Sequence, residues 1–113
     1  MRPTTPFTVA EYFAGIGLMR LGFDQAGWQT VFANDIDEKK HEMYCHHFGS
    51  SPEFVVGDIH QIHQRTIPST TLATASFPCN DLSLAGARKG LAGEHSSAFL
   101  RFIRILKEVG SRQ

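Results

Sequence analysis

Long apolar runs are missing from this sequence, which contains no stretch of about 18 consecutive apolar residues such as a membrane-spanning helix requires. The segment from Met1 to Pro6 also lacks the charged and then apolar layout of a secretory signal. We therefore expect a cytoplasmic protein with no membrane partner. At 113 residues, of which 42% are hydrophobic, the chain has the size and composition of one small globular domain.

An excess of charge of one sign is also absent, because 11 Lys and Arg residues balance 11 Asp and Glu residues. A protein that binds nucleic acid unaided usually carries a basic surplus, since neutralisation of phosphates supplies much of the affinity. If this chain contacts DNA, we expect other parts of a longer polypeptide to contribute most of the affinity.

Cysteine is scarce, since only Cys45 and Cys79 occur and they form no CxxC pair. This scarcity predicts reduced thiols and excludes a disulfide framework. Cys45 stands close to His41, His46 and His47, but these residues fall in a predicted helix, where only residues four apart share a face. A closed zinc site needs four convergent ligands, so we predict a polar helix surface and no metal site.

Segments rich in β-branched and aromatic residues alternate with segments of helical periodicity. Strands are predicted at Phe7–Phe13, Thr30–Ala33, Phe54–Val56 and Leu72–Phe77. Helices are predicted from Gly17 to Gly27, from an N-cap at Asp37 to Gly49, and from an N-cap at Ser96 or Ser97 to about Gly110. The alternation predicts an α/β fold with a mostly parallel, Rossmann-like sheet of about four strands and flanking helices. Because no strand follows the last helix, we expect the domain to be truncated at its C-terminus.

The predicted helices carry apolar faces, and a glycine-rich segment separates the last strand from the last helix. In the second helix the predicted inward residues are Met43, Tyr44, His47 and Phe48. In the last helix they are Phe99, Phe102, Ile103, Leu106 and Val109. The segment from Asn80 to Glu94 contains three glycines and little periodicity, which predicts a mobile loop.

The turn after the first strand, Phe13 to Gly17, contains glycines that would let a ligand approach the backbone. Arg20 stands where a GxGxxG motif has its third glycine, which argues against a dinucleotide pyrophosphate site and hence against a nicotinamide oxidoreductase. Asp35 follows about 20 residues later at the second strand end, where a carboxylate suits ribose hydroxyls. The alternative for the glycine turn is a tight turn that binds no ligand, and the alternative for Asp35 is a helix cap. We assign the capping role to Asp37.

Two further strand ends carry reactive or polar groups. Asp58 and Ile59 follow the third strand and are suited to accept a hydrogen bond from an adenine amino group and to pack on its ring. Cys79 follows the fourth strand, where a thiolate could serve as a nucleophile if its pKa is lowered. The alternative for Cys79 is a structural core cysteine, as we assign to Cys45.

Taken in order, the strings FAGIG, NDID, GDI and FPCNDLSLAG resemble the successive motifs of the DNA (cytosine-5)-methyltransferase family of the bacterial modification type. The SSAF stretch is similar to a further segment that borders the cofactor in that family. The resemblance begins at Phe7 and extends essentially to the end of the chain. Amino-methylating enzymes instead carry an acid or asparagine followed by two prolines and an aromatic residue, a pattern that we do not find.

The resemblance implies an S-adenosylmethionine-dependent methyltransferase fold, with residues 1–113 as the N-terminal part of the catalytic domain. It implies cofactor contacts from Phe13, Gly15, Ile16, Gly17, Asp35, Ile36, Asp58, Ile59 and Pro78. The family mechanism would have Cys79 attack C6 of a cytosine flipped out of double-stranded DNA, because C6 is inaccessible in the stack. Ser83, Arg88 and Lys89 would contact the DNA backbone.

Departures from the family pattern affect the expected activity. Leu18 and Asn80 replace a glycine and a glutamine that are common in the family, and both changes look tolerable. The Glu-Asn-Val motif, the arginine motif and the target-recognition region would lie beyond Gln113. We therefore predict that the chain alone is inactive or nearly so. The alternatives are part of a tRNA cytosine-C5 methyltransferase and a non-catalytic nucleoside-binding or partner-binding half-domain complemented by another polypeptide.

Overall fold

The computed structural model describes residues 7–77 and 94–110, with backbone only at 94–96, and these residues form one α/β unit. The strands are β1 (Thr8–Tyr12), β2 (Gln29–Asp35), β3 (Phe54–Val56) and β4 (Leu72–Ala75). The helices are α1 (Leu18–Gln25), α2 (Glu38–Phe48) and α3 (Glu94–Gly110), and two short 3₁₀ turns occur at Ile59–Gln61 and Gln64–Thr66. The predicted mobile loop lies outside the described residues except for Glu94, which begins α3.

All strand pairs in the described sheet are parallel, and the strand order is β3-β2-β1-β4. This confirms the predicted α/β architecture with four parallel strands and flanking helices. The chain steps outward from β1 through β2 to β3 and then returns to the other side of β1. Such a reversal places a crevice at the carboxyl ends of the two strands that flank it, here β1 and β4, where ligands of open α/β sheets bind.

The two faces of the sheet are covered unequally. The larger apolar cluster lies under α3 and the 3₁₀ turns and contains Ala10, Tyr12, Phe32, Ile59, Ile62, Ile67, Ala98, Phe102, Ile105 and Val109. The predicted apolar face of α3 is partly wrong, because Ile105 is fully buried whereas Leu106 is 37% exposed. The helix also begins at Glu94, earlier than the predicted cap at Ser96 or Ser97.

The smaller cluster on the opposite face contains Ala33, Tyr44 and Phe54, with Phe48 packed against it. The predicted inward face of α2 is correct for Tyr44 and Phe48 and wrong for Met43 and His47, which are exposed. The additional inward residues are His41, whose ring centroid lies 4.7 Å from that of Phe54, and Cys45, whose Sγ lies 3.3 Å from His41 Nε2. The helix is therefore rotated relative to the prediction because a histidine packs on β3.

Backbone conformation and side-chain capping define where the two helices of this face begin. Asp37 confirms its predicted capping role, since its Oδ1 accepts hydrogen bonds from the backbone N–H groups of Lys39 and Lys40. Gly17 precedes α1 with a φ of 94°, a value that favours glycine. A side chain at Gly17 would overlap the Phe48 ring, so the glycine also allows α1 to lie close to α2.

Helix α1 has no buried residue, and its apolar side chains Leu18, Met19 and Leu21 are 70%, 45% and 36% exposed.

Within the described part of the chain, no helix has the length and apolarity needed to cross a membrane. The same residues contain no group of three or more His, Cys, Asp or Glu side chains arranged to hold a metal ion.

Candidate functional site

A cavity of about 310 Å³ opens at the carboxyl ends of the strands. Its walls come from the loops after β1, β2 and β3, from the first turn of α2, from the end of β4 and from α3. The lining residues are Phe13, Gly15, Asn34, Asp35, Ile36, Asp37, Lys40, Gly57, Asp58, Ile59, His60, Ser76 and Ala98. A cavity of this size lies within the range of small-molecule sites.

The loop after β1 is held in an unusual backbone conformation. Phe13 has a φ of 58° and Gly15 a φ of 62°, so a bulky aromatic residue occupies the left-handed region. Such a conformation costs about 1–3 kcal/mol and is found most often at functional sites. The Phe13 ring packs on Phe77, with centroids 4.8 Å apart. No atom of residues 7–77 or 94–110 would lie within 4 Å of a Cβ added at Gly15, so among these residues the backbone there faces open space.

Asp35 joins the loop after β1 to the loop after β2. Its Oδ2 accepts a hydrogen bond from the Gly15 backbone N–H at 2.9 Å, and its Oδ1 accepts one from the Asp37 N–H at 3.0 Å. The residue is 8% exposed and lines the cavity. Because a carboxylate oxygen can accept more than one hydrogen bond, Asp35 retains acceptor capacity toward the cavity.

Asn34, which the sequence analysis did not single out, joins β2 to the loop after β3. Its Nδ2 donates to the carbonyl oxygens of Val55 at 2.9 Å and Gly57 at 3.0 Å. The side chain is buried, and both amide hydrogens are used. Its position at the carboxyl end of a predicted strand, next to Asp35, was the available signal.

Asp58 forms a hydrogen-bonded chain with His60 and Ser97. Its Oδ1 accepts a hydrogen bond from the His60 backbone N–H at 2.8 Å and lies 2.7 Å from His60 Nδ1. The other imidazole nitrogen, Nε2, lies 3.1 Å from Ser97 Oγ on α3. The backbone hydrogen bond from His60, and then the one from its side chain, lower the pKa of Asp58. Asp58 is therefore a carboxylate at neutral pH.

The structure brings six of the predicted cofactor-binding residues to this cavity, namely Phe13, Gly15, Asp35, Ile36, Asp58 and Ile59. Ile16 and Gly17 are not among its lining residues; Ile16 is 38% exposed, and Gly17 packs against α2. The predicted positions at Pro78, Cys79, Ser83, Arg88 and Lys89 lie outside the described residues. Sequence reasoning missed the lining residues Asn34, Lys40, His60 and Ser76, whereas Gly57 belongs to the GDI string and Ala98 to the SSAF stretch.

Arg20, which stands where a GxGxxG motif has its third glycine, forms a polar cluster with Tyr44 and Glu53. Its Nη1 donates to Tyr44 Oη at 3.0 Å and to Glu53 Oε2 at 2.9 Å, and its guanidinium lies 4.3 Å from the Phe48 ring centroid. Burial raises the pKa of Tyr44 to about 12 against the opposing effect of Arg20. Arg20 therefore joins α1 to α2 and to the residue before β3, and it is not among the residues that line the cavity.

Comparison with known proteins agrees with this arrangement. The family model for C-5 cytosine-specific DNA methylase matches residues 7–110. This chain belongs to the C-5 cytosine-specific DNA methylase family. The type II methyltransferase M.HhaI of Haemophilus parahaemolyticus is 36% identical over 98 residues, which are 87% of this chain and 29% of that protein. M.HaeII of Haemophilus aegyptius is 37% identical over 101 residues, which are 89% of this chain and 31% of that protein.

The methylase fold is also found in a solved structure, the crystal structure of the S. pombe Dnmt2 methyltransferase. The match has a TM-score of 0.70 and 27% sequence identity, and it covers 91% of this chain and 32% of that one. The predicted family resemblance is confirmed. This methylase chain spans about 30% of the length of the relatives that it matches.

Proposed function

We propose that this chain binds the adenosyl part of S-adenosylmethionine in the cavity and contributes Cys79 as the nucleophile for methyl transfer to C5 of cytosine in double-stranded DNA. The single observation that carries the cofactor proposal is the convergence of Phe13, Gly15, Asp35 and Asp58 on one cavity. The proposed activity is that of a polypeptide, or a pair of polypeptides, that supplies the full length of the family relatives.

The chemistry of the cavity fits an adenosyl group. Asp58 is a carboxylate whose Oδ1 is engaged by His60, so Oδ2 can accept from an exocyclic amino group. Ile59 offers an apolar side chain next to it. Asp35 retains acceptor capacity for ribose hydroxyls, and the open space above Gly15 gives room for a ligand to lie against the backbone.

The proposed mechanism assigns separate tasks to the cofactor and to the chain. S-adenosylmethionine, when bound, supplies an electrophilic methyl group. The Cys79 thiolate adds to C6 of the flipped cytosine, which makes C5 nucleophilic enough to take that methyl group. The bond between the methyl group and the sulfonium sulfur would break in this transfer, and S-adenosylhomocysteine would be left as the product. A base, such as water, then takes the C5 proton and the bond between C6 and the Cys79 sulfur breaks, which restores the aromatic ring and the thiolate. Ser83, Arg88 and Lys89 are proposed to contact the DNA backbone during this reaction.

Isothermal calorimetry on the 113-residue chain tests the cofactor proposal. We expect S-adenosylhomocysteine to bind and NAD not to bind. Asp58→Asn should lower the affinity for S-adenosylhomocysteine about tenfold or more, because a carboxylate acceptor is replaced by an amide that offers a donor to the same amino group. The matched control is Glu42→Gln, an exposed carboxyl on α2 that does not line the cavity. Equal binding of NAD, or an unaffected Asp58→Asn variant, would refute the cofactor proposal.

A methyl-transfer assay tests the nucleophile and the substrate. The chain is co-expressed with a second polypeptide that carries the remainder of a family relative, including its Glu-Asn-Val motif. We expect tritium from labelled S-adenosylmethionine to reach cytosine in duplex DNA, and we expect Cys79→Ser to abolish the transfer. Methylation of tRNA in place of DNA would favour the alternative substrate, and turnover by the Cys79→Ser variant would contradict the mechanism.

A further inference from the structure

His60 connects two parts of the cavity wall that are distant in sequence. It lies two residues after Asp58 in the first 3₁₀ turn, and its side chain reaches Ser97 near the start of α3. Ser97 directly precedes Ala98, which lines the cavity. One imidazole therefore contacts the loop after β3 on one side and the helix that closes the cavity on the other.

The contact with Asp58 fixes the role of one ring nitrogen. Nδ1 lies 2.7 Å from a carboxylate oxygen, which can only accept, so Nδ1 carries a hydrogen and donates to Asp58. Nε2 lies 3.1 Å from the Ser97 hydroxyl, a group that can either donate or accept. Ser97 therefore helps to orient the ring from the side opposite Asp58.

The consequence for Asp58 is a fixed carboxylate plane. The Asp58 side chain is 42% exposed, so without partners it would exchange its two oxygens and sample several rotamers. Both contacts from His60 fall on Oδ1, one from the backbone and one from the ring. Oδ2 is therefore the oxygen left to face a ligand, in one orientation.

We propose that His60 is a positioning residue that sets the selectivity of the cavity for a 6-aminopurine. His60 holds Asp58 so that Oδ2 accepts from the exocyclic amino group of adenine and disfavours a 6-oxopurine, whose oxygen has no hydrogen to donate. This inference rests on the proposed function, because it assumes that the cavity binds the adenosyl group.

The test compares two ligands that differ at the 6-position of the purine, S-adenosylhomocysteine and S-inosylhomocysteine. Their affinities for the 113-residue chain are measured by calorimetry. We expect the wild-type chain to prefer the adenosyl ligand by about tenfold or more. His60→Ala removes the ring contact and keeps the backbone contact on Oδ1, so it should reduce this preference about threefold or more by weakening the adenosyl ligand, while the affinity for the inosyl ligand changes less than about twofold. A merely structural role would weaken both ligands alike.

Two conservative variants separate positioning of Asp58 from the contact with Ser97. The amide of His60→Asn can take the place of Nδ1 and donate to Asp58, whereas the amide of His60→Gln takes the place of Nε2. We therefore expect His60→Asn to recover most of the selectivity and His60→Gln to recover little.

His63→Ala is the matched control, because His63 caps the neighbouring 3₁₀ turn and does not line the cavity. Melting curves establish that each variant is folded, and the Asn and Gln pair still decides the question if His60→Ala unfolds.

The possible results separate this inference from the proposed function. If the wild-type chain discriminates and His60→Ala keeps that discrimination, or if Asn and Gln behave alike, the role of His60 is refuted while the adenosyl site stands. If the wild-type chain binds neither ligand, the proposed function fails and the inference fails with it.

Discussion

Glu11 lies on β1 near Arg20 of α1, and its carboxyl group is almost completely removed from water. Neither of its oxygens accepts a hydrogen bond from any side chain or backbone group in the described residues. Burial raises its pKa to about 7, although the nearby Arg20 charge opposes the shift and Asp24 adds to it. The folded chain therefore binds a proton at Glu11 more tightly than the unfolded chain does.

The raised pKa of Glu11 predicts that the free energy of unfolding falls as the pH rises. Between the ordinary value of 4.5 and about 7, the folded state holds more protons than the unfolded state, so this contribution is present below pH 4.5 and is lost as the pH rises through 7. The loss is on the order of 3 kcal/mol. Glu11→Gln should therefore stabilise the chain at pH 8 and flatten its pH dependence, as measured by urea unfolding from pH 5 to 8.

The matched control for this measurement is Glu42→Gln, which removes an exposed carboxyl group of the same kind. We expect this variant to follow the wild-type pH dependence. An unchanged slope in Glu11→Gln would contradict the prediction, because it would mean that Glu11 titrates in the folded chain as it does in the unfolded chain.

At the residue scale, sequence reasoning identified carboxylates at strand ends but could not identify their local partners. Asp35 and Asp58 were predicted from their positions after strands, and both line the cavity. Their contacts with Gly15 and His60 depend on backbone geometry that no spacing encodes. Asn34 was missed because its two carbonyl partners lie on β3 and in the loop after β3, 21 and 23 residues away.

At the scale of secondary structure elements, Gly17 controls how α1 begins. Its φ of 94° penalises any side chain, and a Cβ there would overlap the Phe48 ring and lie 3.0 Å from Tyr44 Cδ2. We expect Gly17→Ala to reduce the free energy of unfolding by about 2–3 kcal/mol. Chemical denaturation with the wild-type chain as reference measures the loss.

Gly22→Ala provides the comparison within the same helix. Gly22 has helical geometry, and in the described part of the chain no atom outside the backbone of the helix itself lies within 4 Å of an added Cβ. Alanine there should stabilise the chain by about 0.5–1 kcal/mol because it has the higher helix propensity. A similar loss in both variants would show that α1 tolerates no added side chain, whatever its backbone conformation.

Element types were predictable because strands and helices differ in periodicity, but the rotation of a helix was not. In α2, apolarity alone placed Met43 inside, whereas the structure packs His41 against Phe54 and leaves Met43 56% exposed. The contact of His41 with Phe54 of β3 determines which side of α2 faces the sheet. The sequence of α2 alone does not specify that contact. The same applies to α3, where Ile105 takes the buried place predicted for Leu106.

At the scale of the whole molecule, burial is concentrated under α3, whereas α1 contributes no buried side chain. Ile105→Ala should cost about 2–5 kcal/mol, since its side chain is fully buried in the larger cluster. Leu18→Ala should change the stability by less than about 0.5 kcal/mol, because Leu18 is 70% exposed. Thermal unfolding of the two variants checks this difference, and comparable losses would contradict the described burial.

The sheet order could be anticipated only in part from the sequence. Alternation of strands and helices predicted parallel pairing, and the handedness of crossovers restricts the possible topologies. Strand β4 pairs with the side of β1 that β2 leaves free, and paired residues such as Val9 and Leu72 lie more than 60 positions apart in the sequence. Local sequence patterns carry no information about a pairing at that separation.

The cavity is assembled from segments that are distant along the chain, from Phe13 to Ala98. The unfolded polypeptide therefore offers no equivalent surface, and any molecule that occupies the cavity must favour the native state by thermodynamic linkage. A ligand present at about 100 times its dissociation constant would add about 2.7 kcal/mol to the folding equilibrium. A melting midpoint that rises with ligand concentration would thus report occupancy without any measurement of turnover.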